Sequence, residues 1–555
     1  MARLLAAAVA LAASAASSSS VPPLPPAPSV SVTGGLVSGV VSPNGALAWL
    51  GIPFAAPPTG ALRFAAPAAV LPWAGTRDGS RYGSDCVQFS AAKNFSGSED
   101  CLFLNVYAPP QQAGDPPLPV HVWVHGGGMC TGGGGSDLTD YALATRSVIV
   151  SVNYRLGLLG FSPTAASVAG VGGARSNVAV LDWIAALAWV RFNIGAFGGD
   201  VSRVTVSGQS AGGANMMYLL TVPAAYGLYD RLFVQSPGTP TWNRTKALAV
   251  LEAVAEQPVV ACPLASLGAA RQLACLRAAS PEALVAATGA LSPYMLPALG
   301  PNIDGELVLE SPRAALAAGR FNPGNVTVVV SACENEGSNQ MLQWMQQGGS
   351  ACAGLGCVQN ATAADYDAAM DAFWAQAHQY DAATVAAIKA HYAPPSEVAS
   401  RGEGLSAFYL AAASSFSEGT ITCNARSVAQ AAALGLRVFR LTLNESVPEL
   451  GFTAQPIGLA AHNTDTRLYF NGGSFDGGAR TAARDAAQRG GGCRRSAART
   501  TPAVPLRCGA ARCGGVPLSL HLSYHASPYL AAPPLCARHG RRYVPLAQPC
   551  RLQRS

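Results

Sequence analysis

Apolar and small residues alternate along Val30–Gly51 around turn signals, which predicts an antiparallel hairpin region. Short apolar runs rich in β-branched residues follow. Val120–Val124, Ser147–Asn153, Arg203–Ser207, Arg231–Gln235, Val326–Ser331 and Arg437–Leu443 are each predicted as strands. Ser98–Tyr107 carries another, with a cysteine at its entrance, and Arg467–Phe470 is strand-like. Between them the period changes. Asp182–Asn193 has helical spacing and ends at Gly195. Ala214–Leu220, the Ala/Leu-rich stretch Thr241–Gly300 and Tyr366–His391 also read as helical. Strands alternating with helices over about 200 residues predict an α/β fold whose mostly parallel central sheet is covered on both faces. No internal repeat is visible.

One stretch organises the rest. Val204–Ser207 reads as the end of a strand, Gly208-Gln209-Ser210-Ala211-Gly212 as a sharp turn, and Ala214 onward as a helix. A strand turning directly into a helix leaves no room for side chains beside the central residue, and it pushes that residue's hydroxyl outward. The helix also aims its first amides at any negative charge that develops there. G-x-S-x-G is a weak pattern alone, but here it has its strand–turn–helix context. Ser210 is therefore the candidate nucleophile.

Composition changes the picture in two places. The chain has 555 residues, half of them apolar, and a net charge of +6. That charge is misleading, because 13 arginines and only 2 acids fall in Asn471–Ser555. The preceding residues hold 23 basic and 28 acidic side chains, so the body is mildly acidic and nucleic acid is not its partner. At the other end, Arg3 precedes the apolar run Leu4–Ala13 and the small-x-small Ala13-Ser14-Ala15. Residues 1–16 thus read as a signal peptide and 17–29 as a Ser/Pro-rich linker; the bland alternative is a disordered Ala-rich start. The run is too short to span a bilayer, and no later segment reads as a transmembrane helix. Sequons at Asn94, Asn243, Asn325, Asn360 and Asn444, with fourteen cysteines, agree with an oxidising compartment. The expected location is secreted.

An acyl-transfer site needs a base for the serine proton, an acid to orient that base, and N–H donors for the oxyanion. Glu336 follows the strand Val326–Ser331 in Cys333-Glu-Asn-Glu336-Gly337, and His462 lies in the small-residue loop Gly458–Asp465. The order Ser, acid, His is that of an α/β-hydrolase. Taken alone, a loop histidine is more often a surface residue and Glu-Gly more often a turn. Gly126-Gly127-Gly128 after the strand Val120–Val124 admits a phosphate-binding reading, but no Lys-Ser/Thr follows it. A backbone oxyanion hole fits it better.

At these residues the chain resembles the type-B carboxylesterase/lipase family, which includes the cholinesterases. The resemblance rests on Gly51–Pro58 with Arg63-Phe64, Ser98–Val106, His125–Gly128, Asn153–Arg155 with Gly160-Phe161, Ala188–Asp200, Val204–Gly213 and Asn302–Gly305. It covers roughly residues 30–470 and implies an α/β-hydrolase domain there. It also implies Ser210 as nucleophile, Glu336 as orienting acid and His462 as general base, with the oxyanion N–H groups at Gly127, Gly128 and Ala211. Disulfides Cys86–Cys101 and Cys262–Cys275 are implied as well. Cys352–Cys357 is a candidate for a third small loop, and Cys130, Cys333 and Cys423 stay unassigned. The implied chemistry is hydrolysis of small-molecule esters with no cofactor and no metal. The alternatives are a lipase acting on longer acyl esters and a non-catalytic adhesion or binding module.

Several positions depart from the family pattern. Gln209 stands where cholinesterases have an acid. The loop between Cys86 and Cys101 is short and lacks a tryptophan, which removes a cation–π partner for choline esters. Trp183 replaces a usual Gln and Ala179 a usual Gly, which puts local packing in question. Beyond Phe470 the sequence is expected to leave the family pattern. In residues 471–555, Cys508, Cys513, His521, His525, Cys536 and His539 lack zinc-site spacing, so the tail reads as a disordered basic extension or a mistaken gene prediction.

Overall fold

One mixed sheet runs through the computed structural model. The structure describes residues 26–89, 95–238, 241–291, 300–333, 336–338, 341, 345, 359–377, 380–394, 406–443, 512–513, 516–517 and 521–524. The strands are β1 (Pro26–Val32), β2 (Gly35–Val41), β3 (Leu47–Pro53), β4 (Thr76–Asp78), β5 (Phe103–Ala108), β6 (Leu118–Val124), β7 (Val148–Val152), β8 (Gly199–Gln209), β9 (Arg231–Gln235), β10 (Thr327–Cys333) and β11 (Arg437–Leu443). Their order is β1-β2-β3-β5-β7-β6-β8-β9-β10-β11, with β4 beside β2. The middle, β7 through β11, is parallel, and the pairs β1–β2, β2–β3, β3–β5 and β5–β7 are antiparallel. The predicted hairpin region is the antiparallel edge, and the predicted parallel sheet is the centre.

Three short strands come from the Arg-rich tail: β12 (Arg512–Cys513), β13 (Val516–Pro517) and β14 (His521–Tyr524). β14 lies antiparallel on β11, with Leu441 opposite Leu522. The rest of residues 471–555 falls outside the described residues.

The helices that matter to the site are α1 (Val178–Asn193), α2 (Ala211–Thr221), α3 (Arg244–Ala255), α4 (Ala269–Ala278), α5 (Pro281–Leu291), α6 (Ala363–Met370), α7 (Ala382–His391), α8 (Ala407–Phe416) and α9 (Cys423–Gln430). α1 with the turn after it is long and apolar enough to cross a membrane by length and composition, and most of it is buried in the core. It starts four residues before the predicted boundary, since Val178–Leu181 is apolar throughout and shows no helical period. α2 and β8 are buried almost throughout where they meet.

The main core spans the sheet and the helices on it, from Val30 to Val438. A second core is separate. It gathers Met341, Met345, Tyr366, Met370, Phe373, Trp374 and Tyr409 under α6, α7 and α8. Two π-helical segments, Asp371–Ala377 and Ser417–Thr422, interrupt this region. Such bulges are frequent near functional sites.

Candidate active site

β8 passes into α2 without a loop, and Ser210 is the residue between them, at φ 60°, ψ −121°. A non-glycine residue held there stores about 1–3 kcal/mol of strain and persists only where its surroundings fix it. Here they do. The Ser210 N–H donates to the Gln235 carbonyl at 3.0 Å, and the Ser210 carbonyl accepts from Ala214 at 2.9 Å and Gly238 at 3.1 Å. The glycines are set by crowding. A Cβ on Gly212 would lie 2.3 Å from the Val124 carbonyl oxygen, and one on Gly208 2.4 Å from that of Gly212. The elbow is thus wedged between the ends of β6 and β9, and its serine is half-buried.

The glycine loop after β6 lies against this serine. A Cβ on Gly126 would sit 2.6 Å from the Gln209 carbonyl and 3.2 Å from Ser210 Cβ. Gly127 and Gly128 both have positive φ, 107° and 62°. Among the described residues no hydrogen bond occupies their N–H groups. Ala211 opens α2, so its amide belongs to the helix's first turn.

His125 fixes the start of this loop. Its ring stacks on Tyr154 at 4.4 Å, and the Tyr154 hydroxyl donates to the His125 carbonyl at 3.0 Å. Burial pushes the His125 pKa down to about 4, so the ring is neutral at physiological pH. Nδ1 lies 2.8 Å from the Gly126 carbonyl and, as the N–H nitrogen of the neutral ring, donates to it. A trans peptide directs C=O and N–H to opposite sides, so this bond also sets the Gly127 N–H. Tyr154 is held in turn by its neighbour Arg155, whose guanidinium pairs with buried Asp182 at 2.7 and 2.8 Å.

Glu336 is fully buried just past β10. Its Oε1 accepts from the Cys333 amide at 2.6 Å. The turn that carries it is gripped by the second core: Gly337 N–H donates to Ser417 Oγ at 2.6 Å, and the Tyr409 hydroxyl donates to the Ser338 carbonyl at 2.7 Å. Strand register sets Gln209 beside Gln235 and Gln235 beside Ser331. Ser210 and Glu336 therefore leave the same edge of the sheet, with β9 between them. His462 lies outside the described residues, as do Asn94, Asn444, Cys352 and Cys357.

Sequence reasoning missed the supports: Gly238 on the serine carbonyl, and Tyr409 and Ser417 on the acid turn, none of which belongs to a local motif. Tyr154 lies within the Asn153–Arg155 segment of the resemblance, but its place under the glycine loop was not foreseen. The two disulfides implied by the resemblance are present, Cys86–Cys101 and Cys262–Cys275, with Cα separations of 4.9 and 5.9 Å. Cys130, Cys333 and Cys423 lie outside them. Trp183 is buried, and its Nε1 has no hydrogen-bond partner among the described residues.

A parallel-centred sheet with a serine elbow after β8, a glycine loop after β6 and a buried acid after β10 defines an α/β-hydrolase. Residues 26–487 match the carboxylesterase family model, and the chain belongs to that family. It is similar to the fumonisin B1 esterase of Sphingopyxis macrogoltabida, 46% identical over 197 residues, which are 34% of this chain and 36% of that protein. It is also similar to pyrethroid hydrolase Ces2a of Mus musculus, 37% identical over 295 residues, half of each chain. The chain thus spans about a third to a half of these curated relatives. The solved structure of a PNB esterase superposes with a TM-score of 0.62 at 27% identity, covering 80% of this chain and 84% of that one.

Proposed function

We propose that the protein is a secreted serine carboxylesterase acting on small-molecule esters through an acyl-enzyme. The observation that carries this reading is Ser210 itself, held at positive φ between strand and helix with the Gly126–Gly128 backbone against it. Ser210 Oγ attacks the ester carbonyl carbon while His462 accepts its proton, and Glu336 orients His462. The amides of Gly127, Gly128 and Ala211 hold the oxyanion. The intermediate collapses as His462 protonates the leaving alcohol. Water then attacks the acyl-enzyme by the same route and releases the acid.

The relatives support the substrate class, because those above are named as an esterase of fumonisin B1, a pyrethroid hydrolase and a PNB esterase. Secretion is supported by the two disulfides and by the exposure of the sequon residues Asn243, Asn325 and Asn360. The test is hydrolysis of p-nitrophenyl acetate and longer acyl esters beside Ser210→Ala. Turnover lost in the variant and highest on short chains supports the esterase. A maximum on long chains points to a lipase instead, and a folded wild type without turnover points to the adhesion module.

A further inference from the structure

Two peptide units make up the glycine loop's share of the proposed oxyanion hole, and each has a carbonyl on its far side. The Gly126 carbonyl is taken by His125. The Gly127 carbonyl, which shares its peptide plane with the Gly128 N–H, is approached by four donors. Two are backbone amides, Cys130 at 3.1 Å and Thr131 at 3.0 Å. Two are side chains, the Thr131 hydroxyl at 3.1 Å and the Cys130 thiol at 3.4 Å. A turn of this kind needs only its amides. The side-chain donors are additional, and both come from residues that the sequence motif does not include.

We propose that Thr131, assisted by Cys130, is a positioning residue for ester hydrolysis: its hydroxyl grips the Gly127 carbonyl so that the Gly128 N–H on the opposite side of that peptide stays aimed at the developing oxyanion. The inference rests on the oxyanion role proposed above for Gly127 and Gly128. Two physical effects support it. Gly127 and Gly128 both have positive φ and no side chain to restrain them, so this peptide is free to rotate unless its carbonyl is held. Donors on a carbonyl also polarise the peptide and strengthen its N–H as a donor. Burial raises the Cys130 pKa to about 11, so its thiol keeps the proton it donates across the neutral range.

The experiment compares wild type with Thr131→Val, Thr131→Ser and Thr131→Ala on p-nitrophenyl acetate. It also measures inhibition by a trifluoromethyl ketone, which binds as a serine adduct bearing an oxyanion, and by an unreactive amide analogue of the substrate. The expected result for Thr131→Val is a fall in kcat of about tenfold with KM unchanged, milder than the roughly 10²–10³-fold cost of deleting a donor. Affinity for the ketone should fall by the same factor, the amide should bind as before, and Thr131→Ser should restore both. If Val disturbs folding, the Ala and Ser variants carry the same comparison. Wild-type kcat and ketone affinity in the Val and Ala variants overturn the clamp and leave the esterase reading intact. A rise in KM alone also overturns it, in favour of direct substrate contact. A folded wild type that turns over no ester overturns both.

Discussion

The serine and the acid leave the same sheet edge but are held by different means. Around Ser210 the restraint is backbone against backbone: three main-chain hydrogen bonds, and glycines whose missing Cβ atoms would strike carbonyls of the sheet and of α2 at 2.3–2.4 Å. Around Glu336 the restraint comes from side chains of another core, with Tyr409 and Ser417 reaching the turn from α8 and from the π segment after it. The first region belongs to the sheet and cannot relax without it. The second couples the acid to a layer with its own packing. Damage to the first is therefore expected to cost the fold, and damage to the second to cost activity before stability.

The largest effect that tests this contrast is chemical. Ser210→Ala should lower turnover by about 10⁶-fold, as loss of a nucleophile in such a triad does, with an unchanged melting temperature. Next come two glycines. Gly212→Ala forces a Cβ onto the Val124 carbonyl at 2.3 Å and should destabilise by about 3 kcal/mol or prevent folding, read from denaturant midpoints. Gly337→Ala meets the Ala413 carbonyl at 2.1 Å, but that carbonyl belongs to α8, which rests on the second core. This variant should stay folded and lose kcat. If both variants fail to fold alike, the contrast between the regions is wrong.

Smaller still is Tyr409→Phe, which removes one buried hydrogen bond and should cost about 1 kcal/mol of stability, with a several-fold fall in kcat and an unchanged KM. The remaining test is a pH slope. The His125 pKa falls from its ordinary 6.5 to about 4 on folding. Between these values the unfolded chain binds the proton and the folded chain does not, so stability falls as pH drops through that window and is unaffected above it. The slope is about 1.4 kcal/mol per pH unit. Urea midpoints at pH 7, 6 and 5 should show it in wild type and lose it in His125→Asn.

How legible all this was in the sequence follows the same division. Arg231–Gln235 and Arg437–Leu443 are strands with the boundaries their pattern predicts, and the G-x-S-x-G turn is where strand meets helix. Those features are local, and backbone crowding leaves glycines behind as a trace. The grip on the acid turn is not local: Tyr409 is 71 residues from Ser338 and Ser417 is 80 from Gly337. A tyrosine in an Ala-rich helix, or a serine in the segment after it, carries no mark of the carbonyl or amide it will meet. The early start of α1 was hidden for another reason, since a turn of four apolar residues has no polar face to reveal its period.

The most direct test of the central claim is labelling with a fluorophosphonate, followed by peptide mapping of the adduct. A single phosphonyl group should appear on the peptide containing Ser210, abolished by Ser210→Ala and accompanied by complete loss of ester hydrolysis. A folded wild type that takes up no label, or carries it on another serine while hydrolysing esters, would contradict the account.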